Sequence, residues 1–210
     1  MAMAVRPPRV PELVACSLLL SASVLAKEGD GKGADERSGR AANLLRVASL
    51  LTKDGHLDRA WATLAEIDLE VKGLDLGRYH SLSGLVALKR KDHATATRHL
   101  LAAIGHGPKD NNLYLLLAQA RFGQQDYAGT LRAIRRAGET GRGFPGTYLI
   151  RAQCHWKLGD RVSAWRTLSE GRRRHGRSKE IWRQQVLLMV DLGLYQQATD
   201  AGLRYLARFG

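Results

Sequence analysis

The chain has 210 residues and a formal charge of +13, with 44% apolar and 25% charged residues, so a buried core is available and wholesale disorder is excluded. Two cysteines exclude a disulfide-dense scaffold. Aromatic residues at 6% and only five prolines fit a helical chain better than a β-sandwich, and 22 glycines require the helices to be short and often interrupted.

Residues 1–26 read as a secretory leader. Arg6 and Arg9 lie in a head broken by Pro7, Pro8 and Pro11, and Leu13 to Ala26 carries no charge. At about 1.5 Å per residue that apolar run is too short for a hydrocarbon core of about 30 Å. Val24-Leu25-Ala26 places small or branched residues where a signal peptidase expects them, so cleavage after Ala26 and a periplasmic or secreted product are expected. The competing reading is a buried first helix, which the prolines and Glu12 keep open. Leu13-Val14-Ala15-Cys16 resembles a lipobox, but the apolar run follows Cys16 instead of preceding it, which argues against a lipoprotein. Lys27 to Arg40 balances four basic against four acidic residues and contains no large apolar residue. It reads as a flexible linker over 27–40, with the packed part beginning near Ala41.

From there the sequence repeats. Five segments align on a turn followed by a small residue: DGHLDRA to Ala60, RKDHATA to Ala96, QQDYAGT to Thr130, LGDRVSA to Ala164 and LGLYQQA to Ala198. The intervals are 36, 34, 34 and 34 residues. A second slim residue stands twelve positions before each: Ala48, Gly84, Ala118, Ala152 and Val186. Two helices joined by a tight turn approach to 8–10 Å only where both lack bulk, which accounts for the pairing. Apolar residues at helical spacing surround each pair, as Leu44, Val47, Leu51 and Leu64 do in the first repeat. Gly105-His106-Gly107-Pro108 and Gly141 to Gly146 punctuate the repeats.

This pattern resembles the tetratricopeptide repeat family over about residues 41–210, in units of 41–76, 77–110, 111–144, 145–178 and 179–210. The family's large residue early in the first helix is matched by Leu44, His80, Tyr114, Tyr148 and Trp182, and its loop proline by Pro108. His80, Ser83 and Val186 depart from the pattern. The resemblance implies an all-α, right-handed solenoid of antiparallel helix pairs with a concave groove, and a protein-binding scaffold instead of an enzyme. A pentatricopeptide array reading single-stranded RNA is the structural rival.

Catalytic signals are poor. Gly141-x-Gly143-x-x-Gly146 matches a dinucleotide fingerprint in letters, but it follows a helix and no βαβ unit surrounds it, so it reads as a turn. Seven histidines form no HExxH motif and have no cysteine-rich partner set. His99 and His106 share a helical face that reads as solvated, and no metal or cofactor is expected. Cys154, beside Ala152, reads as a buried inert thiol.

By analogy with the family, the inner surface takes Leu45, Ser49 and Thr52; Ser81, Leu85 and Leu88; Leu115, Gln119 and Phe122; Leu149, Gln153 and Trp156; and Arg183, Leu187 and Val190. Leu85, Leu88, Leu115, Phe122, Leu149 and Trp156 would form an apolar stripe, with Gln119 and Gln153 as amide donors and acceptors. Such a stripe suits a peptide or an amphipathic helix, and it lacks the Lys and Asn with which one subtype captures a C-terminal carboxylate. The alternative is that several of these residues pack between repeats.

The basic excess sits in the three middle repeats, at +4, +3 and +6 against −2 and +1 in the outer two. Arg132, Arg135 and Arg136 lie on the outer side of one second helix, and Arg172, Arg173, Arg174 and Arg177 crowd the end of another. This is either a solvated face or a patch for an anionic partner, such as lipid or polysaccharide in an envelope. Nucleic acid enters only if the leader reading fails. The final helix, Gln196 to Phe209, is expected to leave Leu203, Leu206 and Phe209 bare, for self-association as a homodimer, for a docking partner, or for a continuing chain. The sequence thus points to an exported scaffold in envelope assembly or export machinery: pilus, secretion or exopolysaccharide. The rival is a cytoplasmic binding protein that applies its basic face to nucleic acid or an anionic membrane.

Overall fold

The structure, a computed structural model, describes residues 30–106 and 110–210, with side chains from Glu36 onward. The leader, Cys16 and the turn proline Pro108 lie outside the described residues. Ten helices account for all regular structure among the described residues: α1 (Asp30–Lys53), α2 (Leu57–Ala65), α3 (Leu76–Lys89), α4 (His93–His106), α5 (Asn111–Gly123), α6 (Tyr127–Arg142), α7 (Pro145–Lys157), α8 (Arg161–Arg174), α9 (Lys179–Asp191) and α10 (Tyr195–Phe209). Consecutive helices pair, and each pair stacks on the next, giving an all-α solenoid. No described helix is long and apolar enough to cross a membrane.

The turn inside each pair is one motif used five times. Gly55, Lys91, Gln125, Gly159 and Gly193 all have φ between 62° and 85°. The next residue donates its N–H to the carbonyl five positions back: His56 to Leu51, Asp92 to Ala87, Asp126 to Arg121, Asp160 to His155 and Leu194 to Met189, at 2.8–2.9 Å. A left-handed residue followed by this bond satisfies carbonyls that the ending helix leaves orphaned. The same donor residue then starts the second helix. Asp92, Asp126 and Asp160 accept the N–H of Thr95, Gly129 and Ser163 at 3.1, 2.8 and 2.9 Å. His56 and Leu194 occupy the equivalent place without a side-chain cap. A carboxylate there satisfies an orphan donor and complements the positive end of the helix dipole.

The slim residues sit at the crossings, as their spacing predicts. Ala48, Ala60, Gly84, Ala96, Ala118, Thr130, Ala152, Ala164 and Ala198 are buried. Thr130 is tolerated because its hydroxyl donates to the Asp126 carbonyl at 2.8 Å. Val186 is half-buried, so the last pair crosses less closely. Three apolar clusters fill the solenoid. One joins α1, α2 and α3 around Leu45, Leu64 and Val86. The second joins α3 to α6 around Leu100, Leu113 and Ile134, and the third joins α7, α8 and α9 around Tyr148, Leu168 and Ile181.

One expectation needs correction. The segment expected to be a linker is helical from Asp30, because α1 extends eleven residues ahead of Ala41. Of the described side chains ahead of Ala41, Glu36 to Arg40, none is buried, and Ala41 is the first buried residue of α1. The fingerprint-like glycines lie at the junction of α6 and α7, as the turn reading expects. Gly141 is buried at the end of α6, Gly143 caps that helix, and Gly146 opens α7 behind Pro145 at its start. Gly138 interrupts α6 with φ 56° and ψ −131°.

Candidate functional site

The first helices α3, α5, α7 and α9 touch one another in a row. Their common face carries two hollows. The first, of about 560 Å³, lies between α5 and α7 and is lined by Leu85, Leu115, Leu116, Gln119, Phe144 and Ile150, among others, with no charged side chain in its wall. The second, of about 580 Å³, lies between α7 and α9. Leu149, Gln153 and Trp156 form one wall and Arg183 and Leu187 the other, over a floor of Ala164 and Leu168. The Arg161 guanidinium stacks over the Trp156 ring at 5.3 Å, which fixes the indole at the rim.

Six of the eight residues expected to line the groove therefore meet in these hollows. Leu88 and Phe122 do not. Leu88 packs against the α3–α6 core, and Phe122 turns edge-on to Tyr127 across its own turn, at 6.0 Å between ring centroids. Their withdrawal divides the expected stripe in two. In the first repeat, Leu45 and Thr52 are buried instead of facing the groove, because α3 packs over that side of α1. Thr52 satisfies its hydroxyl on the Ala48 carbonyl at 2.6 Å. Ser49 remains exposed, Ser81 is half-buried, and Leu187 and Val190 are exposed on α9.

Among the arginines of the basic patch, Arg132, Arg135, Arg136, Arg173 and Arg177 are exposed. Arg172 is half-buried and stacks over Trp182 at 5.1 Å. Arg174 is held between Glu139 at 3.7 Å and Glu170 at 3.8 Å. These last two are thus engaged by their own chain.

The histidines that the sequence scatters come together in one place. His80 Nδ1 and His99 Nδ1 lie 3.0 Å apart and share one proton, and the His106 ring stacks on His80 at 5.7 Å. Trp61 and Tyr79 close the cluster against His99. Burial lowers the pKa of His80, helped by His106, and burial lowers that of His99, helped by His80 and Arg98. No set of three residues positioned to hold a metal occurs among the described residues. The cluster was hidden from the sequence because its members lie on two helices, 19 residues apart at the hydrogen bond. Cys154 is buried, and burial pushes its thiol up to about 11, too high for a thiolate at neutral pH.

On α10, Leu203 and Leu206 stand exposed at 62% and 61%, as their spacing predicts. Phe209 does not. Its ring packs on Trp182 at 6.2 Å and Tyr205 at 5.2 Å, and its carbonyl accepts from Lys179 Nζ at 3.2 Å, so it ties α10 to α9.

No protein-family model matches the chain, and no curated protein matches it in sequence. Solved structures do. MamA from Desulfovibrio magneticus RS-1, residues 41 to the end, superposes with a TM-score of 0.71 at 9% identity, covering 80% of this chain and 94% of that one. A second MamA structure gives 0.70 at 14% identity over 80% and 91%. YrrB, described as a TPR protein with an unusual peptide-binding site, gives 0.69 at 15% identity over 87% and 93%. Five stacked helix pairs with slim residues at the crossings, superposing on such proteins over nearly their whole length, give this chain the fold of a tetratricopeptide-repeat solenoid.

Proposed function

We propose that the protein is a non-enzymatic adaptor that holds an extended peptide or one face of an amphipathic helix along its row of first helices. The observation that carries this reading is the pair of adjacent hollows on one face: the first uncharged, with Gln119 at hand for the ligand's backbone, and the second mixing Leu149, Trp156 and Leu187 with Lys157, Glu180, Arg183 and Asp191, with Gln153 and Gln184 at hand. The fold is shared with YrrB, a protein described by its peptide-binding site. The test is selection of peptides from a random displayed library on the immobilised protein, followed by affinity measurement on Leu115→Asp and Trp156→Ala. Loss of an aromatic anchor typically costs about 2 kcal/mol, roughly a 30-fold weakening. Selected peptides that bind both variants as tightly as the parent would place the site elsewhere.

The setting we propose is the envelope: export directed by residues 1–26, and a place in pilus, secretion or exopolysaccharide assembly. What supports it is the leader-like sequence alone. Fusion of residues 1–40 to alkaline phosphatase gives activity if the segment exports and none if it does not. The rival, a cytoplasmic protein using Arg132, Arg135, Arg136, Arg173 and Arg177 on nucleic acid or an anionic membrane, draws on the exposure of those five side chains. It requires binding that falls steeply with salt. The exposed Leu203 and Leu206 of α10 support a homodimer contact, which light scattering on Leu206→Glu checks.

A further inference from the structure

A third hollow, of about 630 Å³, opens between α6, α7 and α8. It lies on the other side of α7 from the second hollow and shares Ile134 and Thr147 with the first. Tyr148, Arg151 and His155 face it, whereas Leu149, Gln153 and Trp156 face the second hollow. Its wall carries Arg135 and Arg142 from α6, Arg151 from α7, and Arg166 and Arg173 from α8. The only carboxylate in that wall is Glu170.

Glu170 is already taken. Arg151 Nη2 donates to it at 2.6 Å, Arg174 Nε stands at 3.8 Å, and Tyr148 OH donates at 3.4 Å. Burial alone would raise its pKa, but the Arg151 hydrogen bond and the charges of Arg151, Arg142 and Arg174 hold the carboxyl below the ordinary glutamate range. Glu139, nearby on α6, pairs with Arg142 and Arg174. Arg135, Arg166 and Arg173 form no ion pair among the described residues, although the charge of Arg166 reaches Asp160 and helps to lower its pKa. Of the hydroxyls in the wall, Thr167 accepts from Arg151 Nε at 3.2 Å, Ser169 accepts from Gln185 Nε2 at 3.2 Å, and Ser163 is engaged by Asp160. Leu131, Ile134 and Trp165 supply apolar surface between the cations.

Three guanidinium groups outside any described ion pair share one concavity, and an anion bound there would relieve their mutual repulsion. A guanidinium presents a planar fork of N–H donors matched to the oxygens of a phosphate. The volume falls within the range of small-molecule sites. We propose that this hollow binds a phosphate group carried on an apolar or aromatic body. Arg135, Arg166 and Arg173 clamp the phosphate, and Leu131, Ile134 and Trp165 contact the body. The arginines that carry the proposal line neither peptide hollow, and only Ile134 and Thr147 are shared with the first, so either reading can fail alone.

The test uses the full chain with inorganic pyrophosphate as the soluble probe, read by the NMR signals of arginine Nε–Hε groups. Saturable shifts of Arg135, Arg166 and Arg173 are expected. Arg166→Gln with Arg173→Gln should weaken binding at least tenfold, while Arg132→Gln with Arg136→Gln, outside the hollow, should leave it unchanged. All four arginines are exposed, so helicity should stay at the parent value in both variants. A second arm measures flotation with phosphatidylcholine vesicles containing phosphatidic acid. Flotation lost only in the Arg166/Arg173 variant assigns the phosphate to a lipid, and pyrophosphate binding without flotation assigns it to a soluble ester. Absence of saturable binding in both arms, or equal loss in both double variants, would overturn the proposal in favour of a diffuse basic surface.

Discussion

Gly84 and Gly202 are both helical glycines, yet the same substitution should move stability in opposite directions. Replacing a helical glycine by alanine is worth about 1 kcal/mol in backbone terms. At Gly202, in α10, an added Cβ meets nothing within 4 Å, so Gly202→Ala should collect that gain. At Gly84 the added Cβ lies 2.7 Å from Leu100 Cγ, 2.9 Å from Leu100 Cδ2 and 3.3 Å from the Leu100 backbone nitrogen. Comfortable carbon contacts begin near 3.5 Å. Leu100 is fully buried and cannot swing away, and its nitrogen cannot retreat without moving α4. Overpacking of this kind costs about 1–3 kcal/mol, so Gly84→Ala should lose about 1 kcal/mol net. The two variants should differ by about 2 kcal/mol, or roughly 4–8 °C in melting temperature at this chain length. Urea titration followed by circular dichroism at 222 nm measures both in one buffer. In a Leu100→Ala background the two side-chain contacts are gone and only the milder backbone contact remains, so Gly84→Ala should cost less there, with a coupling of about 1–2 kcal/mol. A Gly84→Ala protein that gains as much as Gly202→Ala would refute the α3–α4 register.

The second-helix caps give another expectation: Asp126→Ala should cost about 1 kcal/mol in urea, and His56→Asp, which supplies the missing cap, should gain a similar amount. Gln125 holds φ at 62°, so Gln125→Gly should stabilise by up to about 1 kcal/mol, and Gly159→Ala in the equivalent place should destabilise by at least as much. A last expectation concerns pH. Burial holds His80 and His99 below the ordinary value of 6.5 in the folded state, so the unfolded chain takes up protons first as pH falls. Their stabilisation is intact above pH 6.5 and is lost as pH drops from there toward the folded values. The groups facing the pair are His106 and Arg98, both cationic when protonated, and Tyr79 and Trp61. The melting temperature should therefore fall between pH 7 and 5, and fall less in the His80→Gln/His99→Gln protein.

The repeat was readable because it imposes two short residues twelve apart, and no other local demand produces that spacing four times at near-constant interval. The turns were readable for a related reason, since Gly55, Gly159 and Gly193 mark a left-handed residue. Lys91 and Gln125 show that the motif tolerates a side chain there. What escaped is everything that depends on which helix packs over which face. Leu45 has the same periodicity as Leu115 and Leu149 but is covered by α3, and Phe209 has the periodicity of Leu206 but is claimed by Trp182. The arginine hollow draws on three helices, and the runs of adjacent arginines drew attention to Arg172 and Arg174, which the chain uses internally. Arg166, isolated in sequence, was invisible as a member of any group.

The aspartate caps of α4, α6 and α8, missing at α2 and α10, grade the array along its length. Each pair in a solenoid is held by its own stability and by its neighbours, and among the described helices the outer pairs have one such interface where the inner pairs have two. Lacking the cap as well, α1–α2 and α9–α10 should shed their amide protection first, and the three capped pairs should open together at higher free energy. Under a pulling force this becomes a stepwise extension. An outer pair of about 34 residues yields roughly 110 Å of chain on release, while α3 to α8 keep both the peptide hollow between α5 and α7 and the arginine hollow intact. A partner seated across α5 and α7 would thus stay bound to a molecule already stretched at its ends.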